Sequence, residues 1–247
     1  DDIVPLCVRL SDRHFGAGSD GMIYISPSAV ADFKMRIFNA DGSEANMCGN
    51  GIRCVGKYVY DKGYTDKTHL FIETLSGIKT LDLNVMSGKV RSVTVDMGTA
   101  EVSDDTVLDI DGTGVECTPV CVGNPHAVVF VPDADSAQIE RIGYAMEHHP
   151  AFPGGVNVEF VSVISRNELR MRVWERGSGI TLACGTGACA TAVAAVISGR
   201  AGRCSRVVMD GGSLEVEWCS ADNHVYLTGP ATFVYDGVIQ EPITNNR

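Results

Sequence analysis

Apolar residues recur along this chain at two spacings. Alternating or short continuous apolar runs, the mark of strands, fall at residues 22–26, 34–38, 70–74, 78–83, 90–95, 115–121, 127–131, 157–164, 168–174, 207–209, 214–218, 225–228 and 232–235. Ile3, Leu6, Val8 and Leu10 fit a short helix or a strand, with the helix favoured. Helical spacing falls at 48–62 and 132–148, and from 184 onward, where residues 190–197 are apolar on almost every side. A helix that is apolar all round is buried, so this last one is expected to be wrapped by the sheet of its own domain. Gly63 reads as a helix stop, and Gly77 and Ser87-Gly88 as hairpin turns. Residues 98–114 are polar and acidic and read as a crossover between two halves.

The two strongest helical stretches open on the same four-residue pattern. Cys48-Gly49-Asn50-Gly51 and Cys184-Gly185-Thr186-Gly187 both read Cys-Gly-x-Gly, 136 residues apart. At that offset, without a gap, Met35-Arg36-Ile37-Phe38-Asn39-Ala40 lies over Met171-Arg172-Val173-Trp174-Glu175-Arg176, and Gly63 over Gly199. A strand, a turn, the Cys-Gly-x-Gly and a helix therefore occur twice. The period is too long for a solenoid and marks two half-molecules of common design. The expected fold is α/β in the α+β sense: two pseudo-symmetric domains, each a mostly antiparallel sheet wrapped around a central helix. Residues 1–98 with 230–247 would form one and residues 99–229 the other, with a site between them carrying one sulfur on each side. The hairpin at 115–131 has its counterpart before residue 1, so the first half is expected to lack its opening hairpin.

Composition narrows the function. The chain has 247 residues, is 45% hydrophobic and 21% charged, and carries a net charge of −11. Such an acidic surface argues against nucleic acid, whose binding needs phosphate neutralisation. No apolar run reaches transmembrane length, so no membrane partner is expected. Nine cysteines, an odd and irregularly spaced set, fit a reducing compartment better than a disulfide framework. Nothing at the start reads as a signal peptide, and the expected location is the cytoplasm.

A thiol at a helix N-terminus is acidified by the amide donors and the helix dipole. Glycines after it let the backbone turn and bare its N–H groups, which can hold a carboxylate. A sulfur beside such a nest is placed to take a proton from the carbon next to that carboxylate. If a second sulfur delivers a proton to the opposite face, the carbon inverts. Preorganised donors would stabilise the developing carbanion. No lysine pattern for a pyridoxal Schiff base is present, so no cofactor is expected.

The residues also carry a resemblance. Asn39-Ala40-Asp41-Gly42-Ser43-Glu44 with Met47-Cys48-Gly49-Asn50-Gly51-Ile52-Arg53-Cys54 resembles the first signature of diaminopimelate epimerase. Glu175-Arg176-Gly177 with Ala183-Cys184-Gly185-Thr186-Gly187-Ala188 resembles the second, and Gly123-Asn124-Pro125-His126 and Val156-Asn157-Val158 also fit. The resemblance implies a pyridoxal-independent isomerase acting on LL- and meso-2,6-diaminoheptanedioate in lysine and peptidoglycan biosynthesis, and a homodimer. It implies that Cys48 and Cys184 are the acid/base pair and that Gly49, Asn50, Gly185 and Thr186 grip the reacting carboxylate through backbone N–H groups. It further implies that Asn39, Asn124, Asn157 and Arg176 bind or orient the substrate. Glu175 and His126 would tune the thiols, Glu175 also touching the substrate amine. The family's opening His-Gly-x-Gly-Asn-Asp stretch is absent, and Gly21 stands where some members carry a substrate-binding Gln.

Other readings compete. Cys54 and Cys189 fall inside the helices and are not C-x-x-C partners of Cys48 or Cys184, so no metal is expected. The glycine-rich run at 16–21 precedes a strand where a dinucleotide loop needs a helix. A Cys48–Cys184 disulfide would be an inactivated site. Proline racemase and hydroxyproline epimerase use the same two-sulfur logic, but Asn50 and Glu175-Arg176 favour diaminopimelate. A phenazine-type isomerase would lack the cysteine pair, and a thiol redox protein would put no solvent deuterium on an α-carbon.

Overall fold

The computed structural model describes residues 3–239. The chain divides into two compact units, residues 1–93 with 230–247 and residues 94–229. The first runs α1 (Ile3–Ser11), β1 (Gly21–Ser26), β2 (Phe33–Asn39), β3 (Glu44–Ala45), α2 (Gly49–Asp61), β4 (His69–Thr74), β5 (Gly77–Met86) and the start of β6 (Lys89–Thr99). The second continues with β7 (Glu101–Val102), β8 (Thr106–Ile110), β9 (Thr113–Cys121), β10 (Pro125–Phe130), α3 (Ile139–Glu147), β11 (Asn157–Ser165) and β12 (Glu168–Glu175). It closes with β13 (Gly179–Thr181), α4 (Gly185–Ile197), β14 (Cys204–Met209), β15 (Gly212–Trp218) and β16 (His224–Gly229).

In the first unit the strand order is β1-β2-β4-β5-β6, with β1–β2 and β4–β5 antiparallel and β2–β4 parallel. Helix α2 buries Ile52, Val55 and Val59. At Gly56 an added Cβ would sit 2.9 Å from Leu81 and Leu83, so glycine lets the helix lie close on β5. The opposite side is more open: Ile23, Ile25, Pro27, Cys54, Tyr58 and Phe233 line a groove of about 770 Å³. Among the described residues β1 ends this sheet order.

The second unit follows the order β16-β15-β14-β12-β11-β10-β9-β7, with parallel pairs at β12–β14 and β10–β11. Helix α4 touches β9, β10, β11, β12, β14, β15 and β16, and most of its residues are buried. This is the wrapping that its all-apolar sequence anticipates. A second core lies between the sheet and α3, around Leu108, Ile110, Met146, Val158 and Phe160.

Three expectations are corrected. Residues 98–114, read as a crossover with no strand of its own assigned, contain Thr106–Ile110 as β8, which pairs with β9 around Asp111-Gly112. Both turn residues have positive φ (53° and 79°), the tight hairpin geometry that an Asp-Gly pair favours, and Leu108 and Ile110 alternate inward. Helix α3 begins only at Ile139. Before it, Asp133 accepts the backbone N–H of Asp135 at 3.0 Å and its carbonyl accepts from Ser136, local bonds that compete with a helix. Residues 232–235 form no strand. They pass over α2, with the Phe233 ring beneath Lys57 and Lys62 and Asp236 bonded to Lys62 at 2.7 Å.

Candidate active site

Each Cys-Gly-x-Gly builds the same local structure. Cys48 is the N-cap of α2, in extended conformation (φ −141°, ψ 117°), and its sulfur accepts the Gly51 N–H at 3.4 Å. Cys184 caps α4 in the same way (φ −130°, ψ 116°), its sulfur accepting the Gly187 N–H at 3.4 Å. Both helices are 13 residues long. The first N–H groups of a helix have no acceptor within it, so Gly49-Asn50 and Gly185-Thr186 present amides beside each thiol. All nine cysteines are free thiols.

Around Cys48, Arg53 folds back over the first turn of α2. It donates to the Gly49 carbonyl at 2.9 Å, to Asn50 Oδ1 at 2.9 Å and to the Pro230 carbonyl at 3.3 Å. Arg53 is buried, and it holds the Asn50 side chain as part of the helix start. Asn39, at the exposed end of β2, donates to Ser43 at 2.9 Å and lies in the turn that Asp41 braces. A Cβ at Gly51 would meet the far ends of two flexible side chains, Ile23 Cδ1 at 2.7 Å and Met35 at 3.3 Å.

Around Cys184 the surroundings are charged. Burial, then the carboxylates of Glu175 and Glu159, push its thiol up to about 12, against the smaller opposing pull of Thr186 and the Gly187 N–H. Glu175 ends β12 and accepts the Thr181 hydroxyl at 2.5 Å. Arg176, next to it, is exposed and donates instead to the Gly154 carbonyl at 2.8 Å. His126 is buried on β10, and its Nδ1–H donates to Glu159 Oε1 at 2.6 Å while Nε2 lies 3.1 Å from Asn124 Oδ1. Asn157 opens β11 and ties three elements together. Its Nδ2 donates to the Pro125 carbonyl at 2.9 Å and its Oδ1 accepts the Arg176 N–H at 3.0 Å.

The second unit thus gathers Cys184, Gly185, Thr186, Glu175, Asn124, His126, Asn157 and Arg176 around the α4 N-terminus and the adjoining ends of β10, β11 and β12. The first unit carries Cys48, Gly49, Asn50 and Asn39. Sequence reading missed Glu159 and Arg53. Glu159 sits in the apolar run Val158–Val161 and looks like a strand residue, and its signal was the carboxylate itself amid such neighbours. Among the described residues no group of three or more His, Cys, Asp or Glu is placed to hold a metal ion. No described helix is long and apolar enough to cross a membrane.

Comparison with known proteins decides the family. The diaminopimelate epimerase family model matches residues 2–103 and 118–234. The chain is 52% identical over 244 residues to the diaminopimelate epimerase of Acetivibrio thermocellus, covering 94% of this chain and 87% of that protein. It belongs to the diaminopimelate epimerase family. The diaminopimelate epimerases of Bacteroides thetaiotaomicron, 53% identical over 233 residues (94% of this chain, 87% of that protein), and Methanococcus maripaludis, 52% over 243 (93% and 88%), are similarly related. Solved structures share the fold at lower identity. A probable proline racemase from Agrobacterium radiobacter aligns with a TM-score of 0.72 at 19% identity, over 96% of this chain and 82% of its own. A PhzF-family phenazine biosynthesis protein from Bacillus anthracis aligns with a TM-score of 0.74 at 16% identity, over 95% and 87%. These likenesses show the fold alone, and the family assignment rests on sequence.

Proposed function

We propose that this protein is an isomerase that interconverts LL- and meso-2,6-diaminoheptanedioate by proton exchange between two thiols, without pyridoxal or a metal. The observation that carries the reading is the pair of Cys-capped helices in a chain about half identical to named epimerases. One sulfur, as thiolate, removes the α-proton, and the other, as thiol, delivers a proton to the opposite face. The amides of Gly49-Asn50 and Gly185-Thr186 hold the carboxylate and stabilise the negative charge as it spreads onto it. Cys184, buried and flanked by two carboxylates, delivers the proton in one direction of the reaction, and the two sulfurs exchange roles in the other. Asn39, Asn124, Asn157 and Arg176 orient the substrate, and Glu175 and His126 set the protonation around Cys184, Glu175 also meeting the substrate amine. The reaction serves lysine and peptidoglycan precursor synthesis in the cytoplasm, and the enzyme works as a homodimer.

Chiral chromatography of LL-diaminopimelate and of L-proline, each incubated with the protein and a thiol reductant, tests the reading. Conversion of the first to the meso form with no racemisation of the second is expected. Activity on proline alone would overturn the substrate assignment.

A further inference from the structure

Glu159 is a buried carboxylate that the two-thiol reaction does not call for. It is fully buried on β11, paired across the sheet with Val128 of β10 and Val173 of β12. A charge in such a place is costly unless it is bonded and has a purpose. One oxygen takes the His126 Nδ1–H at 2.6 Å, while the other has no hydrogen-bond partner. Glu159 Oε1 and the Cys184 sulfur lie 2.6 Å and 3.3 Å from the point where a Cβ on Gly187 would sit, so they are at most 5.9 Å apart. The carboxylate is pressed against the first turn of α4, where the helix dipole favours an anion. At the 136-residue offset the equivalent of Glu159 is Ile23, packed the same way against Gly51. An aliphatic side chain therefore serves the packing in the first unit, and the acid in the second is there for its charge.

We propose that Glu159 is a positioning residue of the reaction, fixing the His126 ring through Nδ1 and setting the charge beside Cys184. This rests on the epimerase reading given above. With Nδ1 committed to Glu159, the ring can turn only its Nε2 edge toward Asn124 and the substrate end of β10. Within the unit, the groups facing Cys184 are Glu175 on β12, Glu159 on β11 with His126 of β10 behind it, and the Thr186 hydroxyl on α4 itself. Two carboxylates at this range favour the thiol over the thiolate, so Glu159 helps hold Cys184 ready to donate.

The test compares the wild-type chain with Glu159→Gln, which keeps the shape and an acceptor for His126 but removes the charge. Two readouts are taken: the pH dependence of Cys184 alkylation, followed by mass spectrometry without substrate, and the pH profile of kcat and KM. In Glu159→Gln the Cys184 midpoint should fall by about one pH unit. The kcat should fall about tenfold while KM stays within about twofold. Glu159→Ile, which copies the first unit, serves if the Gln variant does not fold, and should shift the midpoint in the same direction. A folded variant with an unmoved midpoint and an unchanged profile would overturn the role. Absence of turnover in the wild type would instead remove the epimerase reading, and the alkylation midpoint would still decide whether Glu159 sets the charge at Cys184.

Discussion

The helix starts at Cys48 and Cys184 share a backbone and differ in nearly everything around it. Each cysteine is extended, caps a 13-residue helix and takes the N–H of the second glycine at 3.4 Å. Yet Cys48 is part-exposed and has Ile23 and Asn39 at the positions where Cys184, buried, has Glu159 and Glu175. The helices behind them differ as well: α4 is enclosed by its sheet, whereas α2 leaves Cys54 and Tyr58 on an apolar groove. Two copies of one structural unit thus keep the same backbone turn and differ in the side chains that surround it. An inversion needs one sulfur charged and the other protonated when the substrate arrives, and the opposite arrangement for the reverse direction.

The comparison can be broken at several levels. Replacing either cysteine with alanine should lower epimerisation by about 10³-fold or more, since each supplies a full proton transfer, with unchanged circular dichroism. Retained activity in one of the two would mean that the copies are not both used. Next in size is a contrast between the glycines. Gly187→Ala would drive a methyl to 2.6 Å from the Glu159 carboxylate, which is buried and held by His126. A cost of about 1–3 kcal/mol is expected. Gly51→Ala meets the flexible end of Ile23, which borders the open groove, and more loosely the end of Met35. There the helix-propensity gain of about 1 kcal/mol should leave stability near that of the wild type. Equal losses in urea unfolding would contradict the difference in packing. The smallest effect is at Glu175. Glu175→Gln removes one of the two charges that raise the Cys184 thiol, so the alkaline limb of kcat should move to lower pH. It should not return to the free-thiol range, because burial is the largest cause of the upward shift. An upward move would show that Glu175 acts on another group.

Much of this was legible before any coordinates. The Cys-Gly-x-Gly pair located both helix starts because glycine, an N-cap and an apolar run are all local signals. The all-apolar stretch after Ala190 announced a helix enclosed on every side. The misreadings came where local bonds beat composition. Asp111-Gly112 makes a hairpin inside a segment whose acidity looked like loop, and Asp133 spends its carboxylate and carbonyl on a turn that helical spacing would have run through. At the site, the family resemblance could name Glu175 and His126 but not the acid that lies between His126 and Cys184, because Glu159 is 33 residues from the first and 25 from the second. The link exists only through the parallel pairing of β10 with β11 and the approach of α4 to both.

The most direct measurement follows LL-diaminopimelate in D₂O to low conversion and reads the α-carbon of product and recovered substrate separately by proton NMR and mass spectrometry. Exchange between two thiols of unlike protonation puts solvent deuterium on the meso product while the remaining substrate keeps its hydrogen. Equal labelling of both, as from a single sulfur serving both faces, would contradict it, as would the absence of deuterium from the product.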